Sequence, residues 1–341
     1  MTSRPPAGGR RSRRPRLLTL GDLVLDIVAR TQEGVAAGTD VAGTIELRAG
    51  GSAANTARAF VALGGEAAFV GAIGPDGIGR RLVRALRADG VRVHPASARQ
   101  PTARLAALVD PRGERSFVTQ RGAADMLRPR DLPTSAVARA DALHLPGYSL
   151  INEPLRLTAV RAAEHAHRAG RLVSVDLASH RPLLARGRSA ARQMLSEVRP
   201  HVVFANVDEA RALTGAQPRR LLELGPIAVI KEGAAGCRVL WLAETGGAVR
   251  DAAAGGILEV AVATAPIRAS DTTGAGDAFD AGFLHSLVEQ LLAGSGTASV
   301  RADPHDPTAP LRRAAVLRRA AMVGHRAAAQ VLSRPRKELA L

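Results

Sequence analysis

A chain of 341 residues, 46% of them hydrophobic, has no stretch approaching the roughly eighteen consecutive apolar residues of a membrane span, so it reads as a soluble α/β protein with one large domain and a small appendage. Its single cysteine, Cys237, excludes an internal disulfide framework and fits a reducing, cytoplasmic setting. A formal charge of +16 would suit an acidic partner, but only Lys231 and Lys337 are lysines, six arginines fall in residues 1–16, and eight aromatics offer few platforms for stacked bases, which argues against nucleic acid.

Residues 1–16, with Pro, Gly, Ser and Arg and no acidic residue, cannot bury enough apolar surface to order themselves and form a basic tail. The run Leu17–Leu25 predicts a first strand. From there short apolar runs alternate with amphipathic helices. Strands are expected at Ala67–Ile73, Ala142–Leu145, Leu172–Leu177, His201–Asn206 and Ile227–Ile230. Helices are expected at Ser52–Leu63, Ile78–Ala88, Pro154–Ala169, Ser189–Val198, Asp208–Leu213 and Ala281–Leu292. The fold class is therefore α/β, a doubly wound and mainly parallel sheet with helices on both faces. Two segments break the alternation, Val28–Arg48 and Ala103–Thr119, the second with the hairpin turn Asp110-Pro111-Arg112-Gly113. Together they predict a small β-sheet lid. Gly294–Pro310 reads as a surface loop and residues 333–341 as a C-terminal tail, which leaves 17–332 as the main domain.

The strongest chemical signal is Asp271-Thr272-Thr273-Gly274-Ala275-Gly276-Asp277-Ala278-Phe279, followed by an apolar helix. Glycines at a helix start let unpaired N–H groups and the helix dipole face an anion, which implies phosphate chemistry. An aspartate directly after such a turn can accept a proton from an attacking hydroxyl. The alternative is a Gly-rich helix cap with Asp277 as an ordinary first-turn acid.

Asp271–Phe279 resembles the C-terminal signature of the ribokinase-like (PfkB) carbohydrate kinases. Gly50-Gly51-Ser52-Ala53-Ala54-Asn55-Thr56-Ala57, with Gly71–Gly79, resembles their N-terminal signature. The resemblance runs from about Leu17 to Leu332. It implies ATP-dependent phosphorylation of a sugar hydroxyl with Asp277 as the base and Gly274, Ala275 and Gly276 as the anion hole. Asp26, taken as the end of the first strand, matches a family aspartate that binds substrate hydroxyls, and a carboxylate can accept from two neighbouring hydroxyls. Gly50 and Gly51 would let a sugar approach the backbone, and Asn55 would offer both donor and acceptor, or else cap local backbone.

Asn206-Val207-Asp208-Glu209 is similar to the family's Asn-x-x-Glu motif, whose spacing puts both side chains on one face of a helical turn. The resemblance assigns Asn206 to the nucleotide phosphates and Glu209 to Mg2+ through water, against a capping Asn with a surface Glu. Lys231-Glu232-Gly233-Ala234-Ala235-Gly236 resembles the nucleotide-side turn, with Gly233 and Gly236 passing close to the nucleotide and Lys231 reaching a phosphate. His325 falls where the family lines the adenine pocket. Asp271 and Thr273 match ligands that some relatives give a monovalent cation, but Ser333-Arg334-Pro335-Arg336 supplies no matching partner. Asp176-Leu177-Ala178-Ser179 lacks an asparagine found in many relatives. The acceptor is left open among ribose, fructose, a keto-deoxy sugar acid and a nucleoside. A catalytically silent sugar-binding regulator is the reading from another class. The lid is also a candidate surface for a homodimer.

Overall fold

The computed structural model describes residues 13–35, 37–243, 256–267, 269, 271–294, 307–334 and 337–339. Most of the 1–16 tail and of the 294–310 loop lies outside these residues. The first half of the chain holds β1 (Arg16–Leu20), β2 (Val24–Thr31), β3 (Gly43–Gly50), α1 (Ser52–Ala62), β4 (Glu66–Ile73), α2 (Gly77–Ala88), β5 (Arg92–Ser97), β6 (Arg104–Val109), β7 (Arg115–Gln120), α3 (Thr134–Arg139), β8 (Ala142–Pro146) and α4 (Leu155–Arg168). The second half holds β9 (Leu172–Asp176), α5 (His180–Leu183), α6 (Arg188–Glu197), β10 (Val202–Asn206), α7 (Val207–Thr214), β11 (Ile227–Lys231), β12 (Cys237–Leu242), β13 (Ile257–Val262), α8 (Ala275–Gly294) and α9 (Ala314–Leu332).

Among the described residues the strands form two sheets, one of nine in the order β13-β12-β11-β10-β9-β8-β1-β4-β5 and one of four in the order β3-β2-β6-β7. From β11 to β5 every neighbouring pair is parallel, and β12 and β13 close the other edge antiparallel. Strands buried on both faces read as continuous apolar runs because helices cover each side. Leu18, Leu143, Val173 and Val203 face the layer of α4, α6 and α7. Their neighbours Leu17, Ala142, Leu172 and Val202 face the layer of α1, α2, α8 and α9. Helices α8 and α9 cross closely, and a Cβ at Gly282 would lie 2.7 Å from the Val323 carbonyl oxygen. No helix among the described residues is long and apolar enough to cross a membrane.

The single strand expected at Leu17–Leu25 is two. β1 ends at Leu20, the chain leaves the large sheet through Gly21–Leu23, and β2 begins a separate sheet at Val24. Leu25 N–H donates to the Ala103 carbonyl (2.9 Å), which starts the pairing with β6. The lid thus begins four residues earlier than Val28, and Asp26 sits inside β2 rather than at the end of the first strand. Its second half carries the hairpin expected at 110–113, closed by Gly113 N–H to the Asp110 carbonyl at 2.9 Å. At the N-terminus, Arg13 already forks onto Asp141 (2.6 and 3.1 Å) and Arg16 opens β1, so the anchored chain starts before residue 17. Within 333–341, Leu339 N–H donates to the Leu47 carbonyl of the lid (2.7 Å).

Topology fixes where a ligand goes. The chain proceeds from β1 to β4 and β5 on one side, then returns to place β8 on the other side of β1. The crevice beyond the carboxyl ends of these strands is where doubly wound sheets bind ligands.

Candidate active site

Successive strands deliver polar residues into that crevice. Asp22 follows β1, Tyr148 follows β8, and Asp176, Asn206 and Lys231 are the last residues of β9, β10 and β11. The lid adds Asp26, which is buried and faces the last residue of β3, Gly50, where any Cβ would overlap its carboxylate. Gly50 is therefore needed for close approach, and Gly51, at φ +102, turns the chain into α1.

Two α1 side chains hold the candidate base. Ser52 Oγ donates to Asp277 Oδ1 (2.6 Å) and Asn55 Nδ2 donates to Oδ2 (2.9 Å). Burial and the nearby Asp176 push the Asp277 carboxyl up to about 6, against the two hydrogen bonds and the Lys231 charge that favour its ionised form. The turn before it has Gly274 at φ +78. Helix α8 starts at Ala275, six residues earlier than the run Ala281–Leu292 suggests, so the Gly-Ala-Gly segment is its first turn. The Ala275 N–H donates to the Thr272 carbonyl (3.2 Å). First-turn amides such as that of Gly276 have no intrahelical acceptor and remain the donors for an anion.

Lys231 does not point out to the nucleotide side as expected from the sequence. Its ammonium lies between Asp176 (3.0 Å) and Asp280 (3.1 Å), and a Cβ at Gly276 would come within 3.4 Å of it. Burial would lower this lysine, but the two carboxylates hold it well above the usual range. It is a fixed internal cation beside the Gly-Ala-Gly turn. Asp280 is fully buried and pushed well up, first by burial and then by Asp176.

Asn206 and Glu209 cap one another: Glu209 N–H donates to Asn206 Oδ1 and Asn206 N–H donates to Glu209 Oε2, both at 2.8 Å. The motif thus has its capping role, yet Glu209 is buried instead of lying on the surface. Burial and repulsion from Asp176 raise its carboxyl to about 7. Gly233 (φ +59) and Gly236 (φ +108) shape the tight turn between β11 and β12, closed by Glu232 N–H to the Gly236 carbonyl (2.8 Å). His325 packs edge-on against Phe279 (5.1 Å between centroids) and its Nε2 lies 3.1 Å from the Val262 carbonyl at the end of β13.

At the far wall Arg121 bridges Asp22 (3.0 Å) and Asp125 (2.9 Å) while its guanidinium lies 5.3 Å from the centre of the Tyr148 ring. Asp271 accepts from Arg48, from Arg115 (3.1 Å) and from the Thr273 N–H (2.9 Å), and Arg115 also donates to Thr273 Oγ1 (2.8 Å). Both groups matched to a monovalent cation are therefore held by guanidiniums. Among the described residues no cluster of three or more His, Cys, Asp or Glu is arranged to hold a metal ion. Ser52, Asp176, Asp280, Arg48, Arg115 and Arg121 gave no site signal in the sequence by themselves. Ser52, Asp176 and Asp280 stand within or beside motifs, whereas the arginines are defined by partners far away in the chain, as Arg48 is by Asp271.

The family model described as pfkB family carbohydrate kinase matches residues 14–337. Fructokinase-1 of Oryza sativa subsp. japonica is 34% identical over 255 residues, covering 70% of this chain and 74% of that protein. The crystal structure of adenosine kinase from Sinorhizobium meliloti superposes with a TM-score of 0.71 at 27% identity, over 95% of this chain and 96% of that one. Fructokinase with bound ATP from Xylella fastidiosa superposes with a TM-score of 0.69 at 24% identity, over 94% and 93%. The two signatures, the crevice at the strand ends and a match over nearly the whole length agree: this chain belongs to the pfkB family of carbohydrate kinases, phosphotransferases that act on an alcohol group.

Proposed function

We propose that this protein transfers the terminal phosphoryl group of ATP to a hydroxyl of a neutral free sugar, a ketohexose such as fructose, with Asp277 as the base. The observation that carries this reading is Asp277 itself, held by Ser52 and Asn55 at the first turn of α8, within the crevice that Asp26 closes from the lid. Asp277 takes the hydroxyl proton. First-turn amides stabilise charge on the transferred group, and Lys231 fixes a positive charge beneath them. Asp26 and Asn55 orient the sugar through its hydroxyls. The lid excludes water, which would otherwise compete as acceptor.

Glu209, a buried carboxylate at the start of α7, would hold a magnesium ion through water, since such an ion takes most of its ligands from water and phosphate. When bound, such an ion neutralises phosphate charge. To Gly233, Gly236, Asn206 and His325 we assign the nucleotide, on the resemblance alone.

The choice of acceptor rests on charge and on stacking. Arg121, the cation at the sugar wall, is already bridged by Asp22 and Asp125, which leaves little positive charge for a sugar acid. It also covers a face of Tyr148, the aromatic a nucleobase would use. Fructokinase-1 of rice points the same way, and the adenosine kinase neighbour names the competitor to test. A coupled ADP-release assay over fructose, ribose, a keto-deoxy sugar acid and adenosine should give fructose the highest kcat/KM. A higher value for adenosine or for the acid would overturn the assignment.

A cytoplasmic location suits the buried Cys237, whose thiol burial pushes up to about 12 and so keeps unreactive. The exposed apolar side chains of Ile45, Phe117 and Val118 on the lid support pairing of two copies through that sheet.

A further inference from the structure

Two arginines from the opposite edges of the lid converge on one carboxylate of the main domain. Arg48 lies on β3 and Arg115 on β7, the outer strands of the four-stranded sheet. Both bind Asp271, each through a different carboxylate oxygen, and Arg115 also holds Thr273 Oγ1. Glu46, two residues before Arg48 on the same strand, accepts from the same guanidinium (3.0 and 2.5 Å). Burial opposes charge on Asp271, yet hydrogen bonds from Thr273 and Arg48 and the charge of Arg115 hold its carboxyl well below the usual range.

The pair Asp271 and Thr273 does not fit the monovalent cation that some relatives bind. Both carboxylate oxygens and Thr273 Oγ1 face guanidiniums, so a cation placed there would meet two like charges. We propose that Arg48 and Arg115 are positioning residues that stand in for such a cation and tie the phosphoryl-binding turn to the lid.

The connectivity gives the tie its consequence. Asp271 fixes the start of the turn by accepting the Thr273 N–H, and Asp277 fixes its end through Ser52 and Asn55. Arg48, Gly50, Ser52 and Asn55 occupy one continuous stretch from β3 into α1. Seating the lid therefore clamps both ends of the segment 271–277, and lifting it releases the first end. A guanidinium fork supplies directed bonds as well as charge, which a bare ion lacks.

This inference rests on the phosphotransfer reading, and its test has one readout free of turnover. Amide hydrogen exchange across 271–277 should quicken in Arg115→Ala relative to the wild type, while the core strands β8–β10 stay protected. In kinetics, the wild type should run at one rate with or without potassium or sodium at constant ionic strength. Arg115→Ala should lose about 10–100-fold in kcat, the scale of a small misplacement of reacting groups, with KM for ATP little changed. Millimolar guanidinium should restore part of that loss and leave the wild type unaffected, and Arg115→Lys should fall between. Potassium stimulation of the wild type, or unchanged exchange and kcat in Arg115→Ala, would overturn the proposal. Quickened exchange in Arg115→Ala, together with a wild type that phosphorylates none of the acceptors, would keep the tie and sink only the phosphotransfer reading.

Discussion

Asp277 sits in a field of like charge. Burial raises its affinity for a proton, Asp176 adds to this, and two donated hydrogen bonds with Lys231 work the other way. The balance places its carboxyl at about 6, so the proposed base is ionised at neutral pH yet close enough to it to accept a proton readily. Activity should accordingly fall as pH drops through about 6 in a profile of kcat/KM. Ser52→Ala removes one donor to the ionised form. A hydrogen bond to a charged group contributes about 1.5–3 kcal/mol, and one pKa step is about 1.4 kcal/mol, so the acidic limb should move up by about one unit or more. A limb that stays in place would show that Ser52 does not tune the base. Asp277→Asn keeps the shape of the turn but cannot take the proton, and kcat should fall by roughly 10²–10⁴ with nucleotide binding preserved. If Asp277 were only a dipole-favoured helix residue, the same change would lower stability by about 0.3–1 kcal/mol and spare turnover.

Helices α8 and α9 show how an element-level contact supports that chemistry. Gly282 lies on the α8 face that packs against α9, and a Cβ there would meet the Val323 carbonyl at 2.7 Å and the Gly324 Cα at 2.8 Å. Gly282→Val should therefore overpack the crossing and lower stability by about 1–3 kcal/mol, seen as a lower urea midpoint with an unchanged slope. Wild-type stability in this variant would mean that the helices can separate freely. At this scale the sequence was readable where one rule governs. The parallel strands β4, β8, β9, β10 and β11 show as apolar runs because helices cover both faces, and α1, α2, α4, α6 and α7 show as amphipathic patterns. The break at Gly21–Leu23 was not readable, because apolar side chains continue across it while the backbone changes sheets. β5 escaped because it is an edge strand that tolerates Pro95. In the site, the glycine turns and Asp277 were legible as local motifs. The Lys231 triad and the Arg48–Asp271 pair were not, since they join residues from strands and helices that only the tertiary fold brings together.

For the molecule as a whole, Asp176, Glu209, Asp277 and Asp280 gather around one lysine, and this surplus of negative charge links its stability to pH. The Asp277 and Glu209 carboxyls stand at about 6 and about 7 in the folded chain, above the ordinary carboxylate values of 3.8 and 4.5. The folded state thus keeps protons that the unfolded state has already released. Their stabilising contribution is complete below the unfolded values and is lost as pH rises through about 6 and then about 7. Buried histidines act in the opposite sense. His144, pushed down to about 4 by burial, stays neutral in the folded chain while its unfolded counterpart is charged, so it destabilises mainly on the acidic side. The two effects overlap between them, and a single variant separates them. Glu209→Gln keeps the oxygen that accepts the Asn206 N–H but cannot ionise. Its melting temperature should match the wild type near pH 4, where the carboxyl is protonated folded and unfolded, and exceed it near pH 8, where the wild type carries the extra buried charge. Equal melting temperatures at both pH values would show that the Glu209 carboxylate is already compensated in the folded protein, and that repulsion from Asp176 does not reach it.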